Sequence, residues 1–238
     1  MNPKAESQIH SAGPKNMQTA LFTESRYPLP IKTRLTHSVK SVKAYKTRLY
    51  PNTDRTDEHV DNPVLDAIRK RRTTLRFESI QVEQDKVGDI LEAGRWAPSW
   101  LNKQPWNFIV IKEPKTKEQL SEVVPTAFVQ GLREAPVCIA VTVNSEEDQY
   151  HFVEAGAIAT QNMALAAQSL GLQTAWIGIL DLKNQKNSAE EKVKKILEIP
   201  KNHRVITLLP IGHAKYDILK KERKELGQIV YEEKFGKR

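Results

Sequence analysis

Residues 97–106 read APSWLNKQPW, and the interpretation of the chain begins from this stretch. Pro98 and Pro105 restrict the backbone at its two ends, while Ser99, Asn102 and Gln104 offer hydrogen-bonding side chains between them. A rigid loop with convergent polar groups is typical of a binding site. A helix-to-strand connector whose two tryptophans pack into the core explains the same residues equally well, so both interpretations stay open at this point.

Apolar patterns on both sides of this loop predict alternating helices and strands. A helix over 84–96, with Val87, Ile90 and Leu91 as its apolar stripe, leads into the loop, and the run WNFIVI at 106–111 leaves it as a strand. The remaining predicted elements are a short helix at 117–124, a buried central strand at 136–143, a long alanine-rich helix at 154–170 ended by Gly171, a strand across 174–178, a helix capped by Ser188 and Glu191, a strand at 205–211, and a strand-like run at 228–231.

The chain is predicted to have one folded domain, spanning 61–238, after a flexible basic extension over 1–60. Val64, Leu65 and Ile68 fall on one helical face and mark where the domain begins. The extension mixes Ser, Thr, Pro and Lys without periodicity, and its first 50 residues carry nine Lys or Arg against two Glu. A balance of +7 out of the chain's net +8 therefore lies at one end. Such a composition also describes an organellar transit peptide.

The basic extension allows a second class of function, a protein that binds nucleic acid or an acidic surface through residues 1–60. A recognisable binding module is missing from it, so nucleic acid is not the favoured partner. Without a long apolar run or a secretory signal, a cytoplasmic protein is expected. The single cysteine, Cys138, lies in an apolar run and is interpreted as a small buried hydrophobe.

Two further segments carry candidate binding residues. Arg71, Arg72 and Thr73 follow the first helix and could grip a phosphate, because arginine offers forked donors, although a solvated basic face is the plainer interpretation. Gly178, at the end of the strand at 174–178, would let a planar ligand approach the backbone, although core packing explains that segment as well. The histidines share no ligand spacing, so no metal site is predicted. The sequence also has no dinucleotide-binding glycine motif and no phosphate-binding loop.

Taken in order, four segments resemble the FMN-dependent nitroreductase family. They are RRTTLRF at 71–77, APSWLNKQPW at 97–106, QNMALAAQSLGLQTAWIG at 161–178 and IGHA at 211–214, and ERKELGQIVYEEKFG at 222–236 is similar to that family's C-terminal signature. The resemblance covers about Asn62 to Gly236. It implies an α+β fold, in which a mixed, mainly antiparallel sheet is flanked by helices and two chains form an intertwined homodimer with FMN at the interface.

The resemblance also implies the residues that would bind FMN. Arg71, Arg72 and Thr73 would hold the phosphate together with Arg223, helped by Lys221. The flavin ring would be held by the loop at 98–104 and by the backbone of the edge strand, through Pro98, Ser99, Asn102, Gln104, Trp176, Ile177 and Gly178. The flavin carries the chemistry in this family, so no catalytic side chain is assigned.

One position departs from the family pattern, and it concerns the phosphate site. The family commonly has a second basic residue where this chain has Leu75, and the neighbouring Arg76 is the candidate to replace it. The expected activity is the reduction of FMN by NADH or NADPH in ping-pong fashion, followed by electron transfer to a nitroaromatic, a quinone or a similar electrophilic small molecule. A reductive dehalogenase of the same superfamily is the alternative, although the segment 112–136 between the two strands leaves little room for the lid of the iodotyrosine deiodinases.

Overall fold

Helix α1, Pro63–Lys70, opens the part of the chain that the computed structural model describes, which comprises residues 62–183, 186–217 and 221–237. The Asn62 side chain caps this helix by accepting hydrogen bonds from the backbone N–H groups of Val64 at 3.0 Å and Leu65 at 3.1 Å. The first predicted helix is thereby confirmed. The extension predicted over 1–60 lies outside the described residues.

A central antiparallel sheet organises the fold. Strand β2, Val137–Asn144, lies between β1, Trp106–Ile111, and β5, His203–Gly212. All of β2 except Asn144 is buried, which confirms the predicted central strand. The register places Trp106 opposite Val143, so the loop before β1 lies at the end of the sheet where β2 finishes.

Two short strands follow each other along the other side of β5. Strand β3 is Gln173–Thr174 and strand β4 is Ile177–Gly178, and both pair antiparallel with β5. A single parallel bridge from Thr73 to Thr174 adds the segment after α1 to this edge. The strand predicted across 174–178 is confirmed, with an interruption at Ala175 and Trp176.

Helices cover both faces of the sheet, which confirms the α+β class. They are α2 (Gln84–Arg95), α3 (Pro114–Ser121), α4 (Thr126–Glu134), α5 (Phe152–Ser169), α6 (Ala189–Ile196) and α7 (Leu226–Ile229). Because side chains alternate along β2, Cys138 and Ala140 pack with α3, α4 and α6, whereas Ile139 and Val141 pack with α2 and α5. A Cβ at Gly94 would lie 2.3 Å from the terminal methyl of Met163, so the Met163 side chain fills the space beside this glycine where α2 packs on α5.

The longest helix, α5, runs along the sheet from one end to the other. Its 18 residues begin next to the end of β2, and Gly171, with φ +76°, ends it before β3. At 1.5 Å per residue, α5 spans about 27 Å. The helix predicted at 154–170 is therefore confirmed, and its two ends mark the two ends of the molecule's sheet.

Two predicted elements are corrected by the structure, and one helix was not predicted. The helix predicted at 117–124 begins earlier, because Pro114 occupies its first turn, and it is followed by α4, which the sequence patterns did not predict. Residues 228–231 do not form a strand. The helix α7 lies there instead, because Glu225 and Gln228 form a reciprocal capping box, and only Val230 after it is extended.

Candidate functional site

The residues predicted to bind phosphate lie where α1 meets the edge of the sheet. The backbone N–H of Arg71 donates to the carbonyl of Ala67 at 2.9 Å and closes the helix. Thr73 then bridges to Thr174, so the segment leaves the helix and joins the edge strand within two residues. Thr73 is exposed and Arg71 and Arg72 are half-buried, which leaves their side chains accessible to a ligand.

Arg223, from the opposite end of the domain, lies close to this segment. Partial burial, followed by the positive charges of Arg223 and Arg72, lowers the pKa of Arg71 from its ordinary value. The guanidinium stays protonated at neutral pH. Within the described residues none of the three arginines pairs with a carboxylate, and Arg72 and Arg223 donate only to nearby backbone carbonyls. Like charges gathered without a counter-charge suit a bound phosphate group.

Arg76 does not take the place of the basic residue that is missing at Leu75. Its guanidinium pairs with Glu134, with Nε 2.9 Å from Oε2 and Nη2 2.8 Å from Oε1, so both donors are used inside the protein. Glu134 also accepts from the backbone N–H of Phe77 at 3.1 Å. The ion pair fastens the segment after the phosphate motif to helix α4. In this structure the Arg76 guanidinium is thus committed to Glu134 and positions that segment.

The edge strand at 176–178 offers backbone to a flat ligand. Trp176 is 37% exposed, whereas the Ile177 side chain is buried and its carbonyl accepts a hydrogen bond from the Thr207 hydroxyl at 2.9 Å. Gly178 is exposed, and a Cβ placed there would meet no protein atom closer than the Trp176 ring nitrogen at 3.9 Å. Core packing therefore does not require glycine at this position. The open space over Gly178 can accept a planar ring.

The loop at 97–105 is held in an unusual conformation. Leu101, Asn102 and Gln104 have φ values of 49°, 57° and 51°, in the left-handed region that side-chain-bearing residues rarely adopt. The Ser99 hydroxyl accepts from the backbone N–H of Gln104 at 2.8 Å and closes the loop. Pro98, Asn102 and Gln104 are exposed. Local strain of this kind is retained where a structure uses it, and it favours the binding-loop interpretation over a plain connector.

The structure does not bring this loop together with the arginines inside one chain. The Trp100 ring stacks on His151 at the start of α5, with centroids 5.0 Å apart, whereas Thr73 pairs with Thr174 beyond the other end of that helix. The two groups are separated by about the length of α5, ~27 Å. Strands β2 and β5 also lie between the loop and β4. The candidate site thus consists of two halves at opposite corners of the sheet.

One feature at the phosphate end was not predicted from the sequence. An open groove of about 620 Å³ lies beside Arg72 and is lined also by Lys70, Gln173, Lys215 and Tyr216. The available signal was the pair Lys215–Tyr216, which directly follows the IGHA segment. Its relation to the groove depends on the bridge between Phe77 and Ala214, which sequence patterns do not predict.

Other chemistry has little support in the described residues. Burial raises the pKa of the Cys138 thiol to about 12, so it stays protonated and behaves as a packed apolar group, as the sequence indicated. No three His, Cys, Asp or Glu side chains gather as a metal site would need, within the part of the chain that the structure covers. In the same part no helix is both long and apolar enough to cross a membrane.

Comparison with known proteins identifies a family. The model of the Nitroreductase family matches residues 68–129 and 125–213. A protein of Methanothermobacter thermautotrophicus, whose name describes it as an NADH dehydrogenase/NAD(P)H nitroreductase, is 30% identical over 162 residues, which cover 65% of this chain and 82% of that protein. A crystal structure of a nitroreductase from Desulfovibrio desulfuricans in complex with FMN is 30% identical, with a TM-score of 0.62 over 74% of this chain and 99% of that one.

The chain is also similar to proteins that are named as deiodinases. The iodotyrosine deiodinase of Nematostella vectensis is 23% identical over 197 residues, which cover 69% of this chain and 72% of that protein.

The matched region of the family model begins just before Arg71 and ends at the close of β5, so it contains both halves of the candidate site except Arg223.

Proposed function

Since the chain belongs to the nitroreductase family, we propose that it is an FMN-dependent oxidoreductase that takes electrons from NADH or NADPH and passes them to a nitroaromatic, a quinone or a similar electrophilic acceptor in ping-pong fashion. The observation that carries this proposal is the cluster of Arg71, Arg72 and Arg223, which pairs with no carboxylate among the described residues and lies next to an open edge strand. Such a cluster binds a phosphate monoester, and the strand below it is free to lie along a ring.

The two ends of FMN are assigned to different parts of this site. Arg71, Arg72, Thr73 and Arg223 hold the phosphate, and the backbone at 176–178 lies along the flavin ring. Pro98, Ser99, Asn102 and Gln104 bound the ring on its other side. These assignments agree with the accessibility of each group, because every side chain needed for contact is exposed or half-buried and only the Ile177 side chain is buried.

A homodimer completes the site, because the loop at 98–104 cannot reach a flavin whose phosphate lies at Arg71 in the same chain. In the proposed dimer each flavin takes its arginines from one protomer and its ring loop from the other. An apolar surface suited to this contact lies on α1, α2 and α5. Val64 is 63% exposed and Trp96 is 71% exposed, and the two side chains line one groove. Leu65 and Ile68 on α1 and Ile158 on α5 are further exposed apolar side chains. Exposed apolar surface of this extent usually marks an interface.

The side chains of the chain bind and orient, and they do not react. FMN, when bound, supplies the hydride and electron transfer between the donor and the acceptor. Arginines at the phosphate fix the position of the cofactor, and the strained loop shapes the space in which the donor and then the acceptor stack. The proposal therefore needs no nucleophile or general base.

The direct test is the absorption spectrum of the purified protein, before and after NADH or NADPH is added without oxygen. We expect a yellow protein that releases FMN on denaturation and bleaches with either donor. Arg71→Ala combined with Arg223→Ala should lose the flavin, and the double variant Lys115→Ala with Lys192→Ala, which removes two exposed cations elsewhere, should keep it. A colourless protein that takes up no supplied FMN would refute the function, and flavin retained by the arginine variant would refute the phosphate assignment.

A reductive dehalogenase is the second candidate, favoured by the deiodinase relative. The segment between β1 and β2 weighs against a deiodinase-like lid, because it forms α3 and α4, whose Leu120 and Leu132 side chains are buried in the core. Halide release from halogenated phenols, measured beside nitroaromatic reduction under the same donor, separates the two candidates. Faster turnover of the halogenated compound would favour the dehalogenase.

A further inference from the structure

The groove beside Arg72 extends beyond the residues assigned to FMN, and its chemistry suits a nucleotide. We propose that this groove binds the adenosine diphosphate half of the reducing dinucleotide, NADH or NADPH. The inference rests on the proposed function, since it takes one of these compounds as the electron donor. It adds a binding site for the part of the donor that does not react.

Among the cations that line the groove, Lys215 is the one available for a pyrophosphate. Lys215 pairs with no carboxylate in the described residues, and its backbone N–H donates to the Arg76 carbonyl at 3.1 Å, which fixes the position of the residue. Arg72 borders both the groove and the arginine cluster. Lys70 lies at the rim but already pairs with Asp66 at 2.9 Å. Once Arg71, Arg72 and Arg223 hold the FMN phosphate, Lys215 remains for a second anionic group next to that cluster.

Tyr216 supplies an aromatic platform at the same groove. Its ring is 60% exposed, and the Arg76 guanidinium lies 5.9 Å from the ring centroid. Because Glu134 holds Arg76 through two short hydrogen bonds, the support under the ring is rigid. An exposed and supported aromatic ring can stack on the face of adenine, and this contact needs no hydrogen bonds to the edge of the base.

Two carboxylates in the lining distinguish this groove from a site that would bind any anion. Glu78 and Asp217 lie in it beside the cations. Carboxylates accept hydrogen bonds from the ribose hydroxyl groups of a dinucleotide, whereas they repel a polyanion such as nucleic acid. The backbone N–H of Glu78 donates to the His213 carbonyl at 2.9 Å, which holds this residue at the groove wall.

The groove lies within reach of the ring half of the site. Gln173 lines the groove and begins β3, and the chain continues directly to Ile177 and Gly178. At about 3.3 Å per residue, the distance from Gln173 to Gly178 is roughly 16 Å. A dinucleotide with adenine on Tyr216 is therefore long enough to run beside FMN and to stack its nicotinamide on the outer face of the flavin ring that lies along 176–178.

The test uses the FMN-loaded full chain and ADP as the probe. Calorimetric titration should show ADP binding, and in turnover assays ADP should compete with the dinucleotide and not with the acceptor. Tyr216→Ala and Lys215→Ala should each weaken ADP binding and raise the KM for the dinucleotide by about tenfold, the loss of one good contact. Flavin content and the circular dichroism spectrum should not change. Lys115→Ala, an exposed lysine on α3, is the control and should behave as the wild type.

The outcomes separate this inference from the function on which it rests. Loss of FMN from a folded Lys215→Ala variant would assign the groove to the FMN phosphate and overturn the inference. Unchanged ADP affinity in both variants would also overturn it, while bleaching by the donor would still support the oxidoreductase. A protein that takes up no FMN would refute the proposed function itself. Tighter binding of ADP, or of its 2′-phosphorylated form, identifies NADH or NADPH as the source of the bound half.

Discussion

At the scale of single residues, the Arg76–Glu134 ion pair shows how the chain protects the geometry of its phosphate segment. Two charged donors and the Phe77 N–H converge on one carboxylate whose side chain is only 16% exposed. Hydrogen bonds from Arg76 are the main reason that the pKa of Glu134 falls to about 2. The pair joins the segment after Thr73 to α4 and so fixes the position of that segment.

This shift predicts a pH dependence of stability. Because the folded-state pKa of Glu134 lies below the ordinary 4.5, its ionisation stabilises the folded protein above that pH, and the contribution is lost as the pH falls from 4.5 to about 2. Glu134→Gln should lower the free energy of unfolding at pH 7 by about 1 kcal/mol in urea titrations. At pH 2 the variant and the wild type should converge. An equal difference at both pH values would contradict this account.

At the scale of elements, the loop at 98–104 has a strained backbone, and a substitution can relieve that strain. Leu101 is 71% exposed and has φ 49°, a conformation that costs a leucine side chain but not a glycine. Leu101→Gly should raise the free energy of unfolding by about 1 kcal/mol, since little apolar burial is lost. Glycine at Lys103, which has an ordinary φ of −67° in the same loop, is the control and should lower it. If both variants were destabilised, the loop would not be strained in the folded protein.

Elements that carry a simple apolar period could be predicted from the sequence, and the others could not. The strand at 106–111 matched its predicted bounds, and the buried run of β2 and the glycine that ends α5 were equally plain. Helix α4 was missed because Gly131 weakens its helical pattern. That glycine is there for a contact, since a Cβ would lie 2.6 Å from the Leu75 carbonyl oxygen. Such a requirement comes from tertiary structure, which a local pattern does not record.

The candidate site could be predicted as a set of residues but not as an arrangement. The arginines at both ends of the domain were named from the sequence, and the structure brings Arg223 near Arg71. The loop at 98–104 was assigned to the same pocket, yet within one chain it lies at the far corner of the sheet. Arg76 was a candidate for the phosphate because of its position next to Leu75, and its carboxylate partner, Glu134, is 58 residues away in the sequence.

At the scale of the whole molecule, the exposed apolar surface on α1, α2 and α5 should decide whether a flavin site forms at all. Leu65→Asp places a charge where the proposed dimer buries a 47% exposed leucine, so we expect monomers that bind FMN poorly. Size-exclusion chromatography with light scattering measures the change. Leu182→Asp, at an exposed leucine outside that surface, should leave both the dimer and the flavin unchanged. A flavin-loaded dimer of the Leu65 variant would refute the assignment of this surface.

The separation of the two half-sites by the length of α5 has a genetic consequence. A chain without Arg71 and Arg223 still has an intact loop at 98–104. A chain whose Asn102 and Gln104 are changed still has the intact arginines. When the two variants are produced in one cell, random pairing makes about half of the dimers mixed. In each mixed dimer one of the two sites combines the intact arginines of one chain with the intact loop of the other. About a quarter of all sites therefore bind FMN again. Two alleles that are each inactive alone would thus complement each other, which a site contained in one chain does not allow.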